Sequence, residues 1–301
     1  MAQNILVTGG TGLVGSLLTQ QLKQQGHNPS LLGRSKKSNS PYPSFKWDYT
    51  SDYLEEGALD GVDSIVHLAG AGVADQKWTK ERKTVILESR TQTSHLLYKR
   101  LKEGNHSVKT IVAASAIGLY GSDTGNAIVK EGSPVGHDFL AHVVDAWELA
   151  TRKYAELGIR LVQLRIGVVL SNEGGALTEL LKPPVAAGLG KGSQYMSWIH
   201  IDDLVQMIIR SIEDESFEGA YNAVAPRPVS NKELTKVAAK AFGKPFMPIN
   251  VPSLILKVML GEMAVIVLGG SRVSSEKIQQ AGFEFSFPKI EEAVRDLAGK
   301  K

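Results

Sequence analysis

The segment ILVTGGTGLVG (residues 5–15) sets Gly9, Gly12 and Gly15 three residues apart, between a β-branched run and an amphipathic stretch. Such a turn lets backbone approach a pyrophosphate closely, and the amides and dipole of the following helix attract its charge. The chemistry this implies is dinucleotide binding, with Gly9, Thr11, Gly12, Leu13, Val14 and Gly15 as the cradle. Glycines also serve tight turns for steric reasons alone. Here the trio follows the first strand of an alternating chain, which favours the ligand. About twenty residues further on, an NAD site places an Asp or Glu on the ribose 2′-hydroxyl, whereas a basic residue accommodates a 2′-phosphate. This chain has Gly33, Arg34 and Ser35, then Lys36 and Lys37. NADP is therefore favoured over NAD through Arg34, and the two lysines read as solvated surface charges.

Those residues need a strand–turn–helix frame, and the chain supplies it repeatedly. β-branched runs at 4–8, 29–34, 64–69, 109–115 and 159–165 alternate with helical stretches that begin near 13, 77, 137 and 201. This pattern predicts an α/β fold, a Rossmann-type doubly wound parallel sheet with helices on both faces. Ser230 and Glu233 form a capping box that opens a further helix. Gly and Pro at 183–192 and 226–228 loosen the pattern after about residue 170. The expected division is a nucleotide-binding domain over 1–229 and a smaller, mainly helical C-terminal substrate region over 230–301.

Composition excludes several function classes. With 34 basic and 31 acidic residues spread along the chain, no basic stripe is left for nucleic acid. Absence of cysteine excludes disulfides and thiolate metal sites, and no metal is expected. The opening MAQNILVTGG enters a strand at once, without a leader pattern, which points to the cytoplasm. The most apolar stretch, 251–270, is broken by Lys257 and Glu262. It is too interrupted to span a bilayer and reads as a buried or interfacial helix, with no membrane partner expected.

Taken together, TGGTGLVG, VHLAG (66–70), AASAIGLYG (113–121), LRIGVVL (164–170) and WIHIDDL (198–204) resemble the extended or atypical short-chain dehydrogenase/reductase superfamily. The C-terminal VPSLILKVMLGE and AGFEFSFP resemble the small domain appended in its nucleoside-diphosphate-sugar epimerase-like branch. The resemblance implies that His67, Leu68, Ala69 and Gly70 lie beside the cofactor's adenosine half and that Asp48 contacts adenine. It implies too that Arg90 reaches the cofactor, that Val169 lies near the nicotinamide, and that Ser115 polarises a substrate carbonyl. A homodimer through helices near 77–102 and 137–157 is a further implication, with Phe139, Val143, Val144 and Trp147 serving either a partner or the core.

One departure from the family pattern bears on the reaction. The superfamily uses a tyrosine as general acid/base and a lysine four residues later that lowers its pKa. Counted back from Glu148, which matches a glutamate common in extended members, those positions are Leu140 and Val144. Neither side chain transfers a proton. Tyr120 is the nearest substitute, with Lys130, His137 or His142 as titrating neighbours, and His200 reads as a pin that holds a loop to the core. The expected function is an NADP-dependent oxidoreductase or epimerase-like enzyme acting on a small molecule, a nucleotide sugar being one class, with a nonstandard acid/base. The alternative is a non-catalytic NADP-binding sensor or scaffold.

Overall fold

Ile5, Leu6 and Val7, Ile65 and Val66, and Ile111 and Val112 are buried on both sides of their strands. Such unbroken apolar runs mark the middle of a parallel sheet covered on both faces. The computed structural model describes residues 2–36 and 39–300. Its first part contains β1 (Asn4–Thr8), α1 (Leu13–Gln24), β2 (Asn28–Gly33), β3 (Ser44–Asp48), β4 (Tyr53–Leu54), β5 (Ser64–His67), α2 (Lys80–Glu103), β6 (Thr110–Ala116), β7 (Asp123–Val129), α3 (Phe139–Arg152) and β8 (Arg160–Ile166). Then come β9 (Val168–Leu170), α4 (Ala176–Leu181), β10 (Ala186–Leu189), β11 (Tyr195–Met196), β12 (Trp198–His200), α5 (Ile201–Glu213) and β13 (Gly219–Ala223). The remainder holds β14 (Val229–Ser230), α6 (Asn231–Ala241), β15 (Phe246–Val251), α7 (Ser253–Leu260), α8 (Ala264–Leu268), β16 (Gly270–Val273), α9 (Glu276–Gln280) and α10 (Ile290–Gly299).

Eight strands form one sheet in the order β13-β8-β6-β5-β1-β2-β3-β4. Its pairs are parallel apart from β3 with β4. The order reverses between β1 and β5, and a doubly wound sheet binds its ligand at such a switch point, beyond the carboxyl ends of the strands. On one face Leu18 and Leu22 of α1 pack with Leu204, Ile208 and Ile212 of α5. On the other, Leu96, Leu97 and Leu101 of α2 pack with Tyr154. A third core joins Leu170, Leu177 and Trp198 to Leu234 of α6 and to Ile290, Val294 and Leu297 of α10.

The α/β architecture is as the alternation predicts. Three sheet strands, β3, β4 and β13, are additions to the pattern, being short and bounded by polar loops. The apolar stretch 251–270 departs from a single helix: α7 and α8 are separated by a short 3-10 turn, and in α7 only Leu256 is buried. The C-terminal region also contributes strands, with β15 pairing β10 and β16 pairing β7. On α3, Val143, Val144 and Trp147 face the chain's own core. An interface through α2 and α3 would thus rest on Val85 and Leu149, which are exposed.

Candidate functional site

Gly9 follows β1 with φ +70°, and a Cβ there would stand 3.1 Å from the Leu68 carbonyl that follows β5. A Cβ on Gly15 would lie 2.3 Å from the Gly9 oxygen and 2.7 Å from Gly10 Cα, so α1 could not rest on the loop. Gly12 is different. Its φ of −80° suits any residue, and a Cβ would meet only the Gly9 oxygen, at 3.3 Å. The protein's interior sets only that one close approach against a side chain there. The start of α1 has no side-chain cap and no acid in its first turn, a state shared by α7 and α8, whereas Thr79, Asp138, His200 and Ser230 cap α2, α3, α5 and α6. First-turn amides left without a side-chain acceptor, under a glycine with room outside it, fit a pyrophosphate.

A cleft of about 590 Å³ adjoins this loop, bordered by Gly10, Thr11, Ser16, Ser35 and Tyr42. Arg34 and Ser35 are exposed beyond the end of β2, and Arg34 has no ion-pair partner among the described residues. Gly33 has room for a Cβ, which would touch only the Ser35 oxygen at 3.6 Å. Lys36 is bound to Glu55 at 2.7 Å, as a surface charge would be, and Lys37 lies outside the described residues.

Thr8 organises the loop that follows β5. Its hydroxyl accepts from the amides of Leu68 and Ala69, each at 3.1 Å, so its proton goes to His67 Nδ1 at 2.8 Å. His67 Nε2 then donates to Ser94, which donates to the Arg90 carbonyl. Burial depresses the His67 pKa to about 4, and the ring is neutral. His67 thus has both nitrogens engaged inside the protein and orders the loop, whose residues Leu68, Ala69 and Gly70 reach the surface. Arg90 donates to the Ala71 and Ile86 carbonyls at 2.9 Å and lies 5.0 Å from the Trp147 ring. Burial lowers its pKa to about 10. Asp48, at the end of β3, accepts from the Thr50 hydroxyl at 2.7 Å and amide at 2.9 Å, which hold its carboxyl below the usual range. Val169 and Leu13 border Gly175 together and close the far side of the α1 terminus.

The residues expected at a reacting end are placed otherwise than expected. Ser115 is buried and donates to Glu148 Oε1 at 2.6 Å. Arg165 grips the same carboxylate with Nε at 2.8 Å and Nη2 at 3.0 Å. Arg165 Nη1 donates to the Tyr120 hydroxyl at 2.9 Å, and that hydroxyl donates to Asn222 at 2.6 Å. Burial would raise Glu148, but its bonds from Arg165 and Ser115 outweigh it and hold the carboxyl below the usual range. Burial raises Tyr120 against the pull of Arg165. Ser115 and Tyr120 are therefore members of one satisfied interior network and offer no free hydroxyl to a cleft. The neighbours expected for Tyr120 are elsewhere: Lys130 pairs with Glu276 at 2.6 Å, and His137 and His142 are exposed. Leu140 and Val144 pack toward the turn at Gly118, within 3.7 Å of where its Cβ would stand.

Arg165 and Asn222 were not singled out from the sequence. The available signal was a charged residue inside an apolar strand, since a buried cation must find an anion. His200 is the pin expected of it. Its ring stacks on Phe287 at 3.9 Å, and Nδ1 accepts the Asp202 amide at 3.1 Å. With Asp202 and Asp296 it forms a cluster of metal-ligand type. The bond at Nδ1 puts the ring proton on Nε2, facing Asp296 at 3.2 Å, and Lys300 bridges both carboxylates at 2.7 and 2.8 Å. The cluster supplies its own cation and has no open ligand on the ring.

Residues 5–223 match the model of the NAD dependent epimerase/dehydratase family, and residues 251–297 match a domain of unknown function, DUF1731. An epimerase family protein of Staphylococcus aureus (strain MRSA252) is 36% identical over 299 residues, covering 98% of this chain and 99% of that protein. The crystal structure of the human epimerase family protein SDR39U1 (isoform 2) with NADPH superposes with a TM-score of 0.88 at 29% identity, over 99% of this chain and 100% of that one. A nucleoside-diphosphate sugar epimerase from Corynebacterium glutamicum superposes at 0.80 with 33% identity, over 100% of this chain and 59% of that longer one.

Proposed function

This chain belongs to the NAD dependent epimerase/dehydratase family, and from that premise we propose that it binds NADP(H) across the β1–β5 switch point. The pyrophosphate lies on the uncapped start of α1, and the 2′-phosphate is paired by Arg34. The uncapped helix start is the observation that carries this reading, and the human relative solved with NADPH supports it. NADP(H) is expected to bind at least roughly tenfold more tightly than NAD(H), since a charge-assisted bond to phosphate contributes about 1.5–3 kcal/mol. Arg34→Asp should remove or reverse that preference. Equal affinities for the two cofactors by calorimetry in the unaltered protein would contradict the assignment.

The same reading makes the protein an oxidoreductase or epimerase-like enzyme of the cytoplasm that acts on a small molecule without a protein-borne Tyr-Lys acid/base. Bound nicotinamide would supply hydride chemistry; this chain's residues would bind and orient, with Leu140 and Val144 keeping the reacting end apolar. The proton must then come from solvent or from the substrate. A second reading, an NADP-binding redox sensor without turnover, is favoured by the engagement of both Ser115 and Tyr120. Loss of nicotinamide absorbance against a panel of carbonyl compounds and nucleotide sugars separates the two. Tight NADPH binding with no turnover on any of them selects the sensor.

A further inference from the structure

Helix α7 has an outer arc without a polar residue. Leu254, Ile255, Val258 and Met259 are 73%, 48%, 75% and 60% exposed, while Leu256 faces inward. At 100° per residue the four fill one continuous side of the helix. The strand before it adds Met247 and Ile249, alternate residues on one face and both exposed. Single exposed hydrophobics are ordinary, but four on one continuous side of a helix, with two more on one face of the strand that leads into it, mark an interaction surface.

The margin of this surface is basic. Lys257 is exposed on α7 itself. The Lys232 ammonium rests on the Pro248 carbonyl at 2.9 Å, and the Lys191 carbonyl accepts from Asn250 at 2.9 Å, so both flank β15. Glu262, the acid just past α7, is neutralised by Lys83. An apolar centre with a rim of one sign is complementary to an anionic sheet of apolar depth. We propose that α7 and β15 lie on an anionic lipid surface, with the outer arc of α7 at the acyl boundary and Lys191, Lys232 and Lys257 at headgroup level.

A second copy of the chain seated on this face is the outcome that the test below separates from a lipid surface. The proposal revises the expectation that no membrane is a partner. The segment does not span a bilayer, and α7 lies along its surface. It is independent of the cofactor and of any reaction.

The test is sedimentation of the full-length protein with phosphatidylcholine vesicles, with and without about 30% phosphatidylglycerol. Partitioning should be at least roughly tenfold stronger on the anionic vesicles and should weaken as salt is raised. Leu254→Glu and Val258→Glu alter exposed positions, so circular dichroism and NADPH affinity should hold while partitioning falls about tenfold or more. Lys257→Glu should weaken binding to the anionic vesicles only. Absence of binding to either vesicle overturns the proposal, as does binding indifferent to lipid charge. So does a dimer in solution that Val258→Glu dissociates, which would assign the face to a second copy.

Discussion

A tyrosine hydroxyl that donates to Asn222 at 2.6 Å and accepts from Arg165 at 2.9 Å has its hydrogen-bonding directions in use. Removing it leaves two interior polar groups short of a partner, which costs about 1–3 kcal/mol. Tyr120→Phe is therefore expected to lower the urea midpoint and, once a substrate is found, to change turnover by less than roughly threefold; general acid/base groups contribute about 100-fold or more. A hundredfold loss of turnover at unaltered stability would restore Tyr120 as proton donor. His67 gives a second residue-scale expectation. Its pKa of about 4 lies below the ordinary histidine value of about 6.5, so between these the unfolded chain binds the proton and the folded protein does not. Stability is full above about pH 6.5 and falls as pH drops toward 4, by up to about 3 kcal/mol from this group. Urea titrations at pH 7 and 4.5 should show that loss, and His67→Asn should show less of it. A pH dependence unaltered in the variant counts against the assignment.

At the scale of elements, the glycine loop divides into two kinds of requirement. Gly15 is needed by the fold, because its Cβ would drive α1 off the backbone of Gly9 and Gly10. Gly15→Ala should cost about 1–3 kcal/mol through overpacking and weaken cofactor binding as a consequence. On the proposed reading, Gly12 is needed by the ligand. Gly12→Val should keep the circular dichroism spectrum and thermal midpoint within a few degrees while abolishing NADPH binding in calorimetry. If that variant binds normally, the phosphate is not held at the start of α1. The spacing made all three glycines legible in sequence; which neighbour each one meets required β1, β5 and α1 to be packed together.

At the scale of the molecule, the C-terminal region does not have a core to itself. Leu234 of α6 and Ile290, Val294 and Leu297 of α10 complete a cluster begun by Leu170, Leu177 and Trp198. Buried Asp203 of α5 accepts the Ser286 and Phe287 amides at 2.8 and 3.0 Å, tying the same halves again. Residues 230–301 therefore should not unfold separately. Calorimetric unfolding is expected as one transition, and a fragment of residues 1–229 should fail to unfold cooperatively because it exposes the third core. Two resolved transitions in the intact chain would show separable domains.

The alternation of β-branched and amphipathic runs determined the parallel sheet, because a strand buried on both faces and a helix with one apolar side have few ways to pack. Gly9, Gly12 and Gly15 likewise announced the cradle, since close approach of backbone to backbone or to phosphate leaves no room for a side chain. Leu140 and Val144 are likewise plain in the sequence as side chains that transfer no proton. Only the tertiary structure decided what the polar residues near them do. Ser115, Glu148, Arg165, Tyr120 and Asn222 are scattered along the chain, and of these only Ser115 and Tyr120 stand out in the sequence as groups for a reaction. Sheet pairing of β6, β8 and β13 under α3 brings them together and buries them. Burial makes a buried carboxylate and guanidinium seek one another, and their pairing consumes the hydroxyls that spacing alone had offered to a substrate.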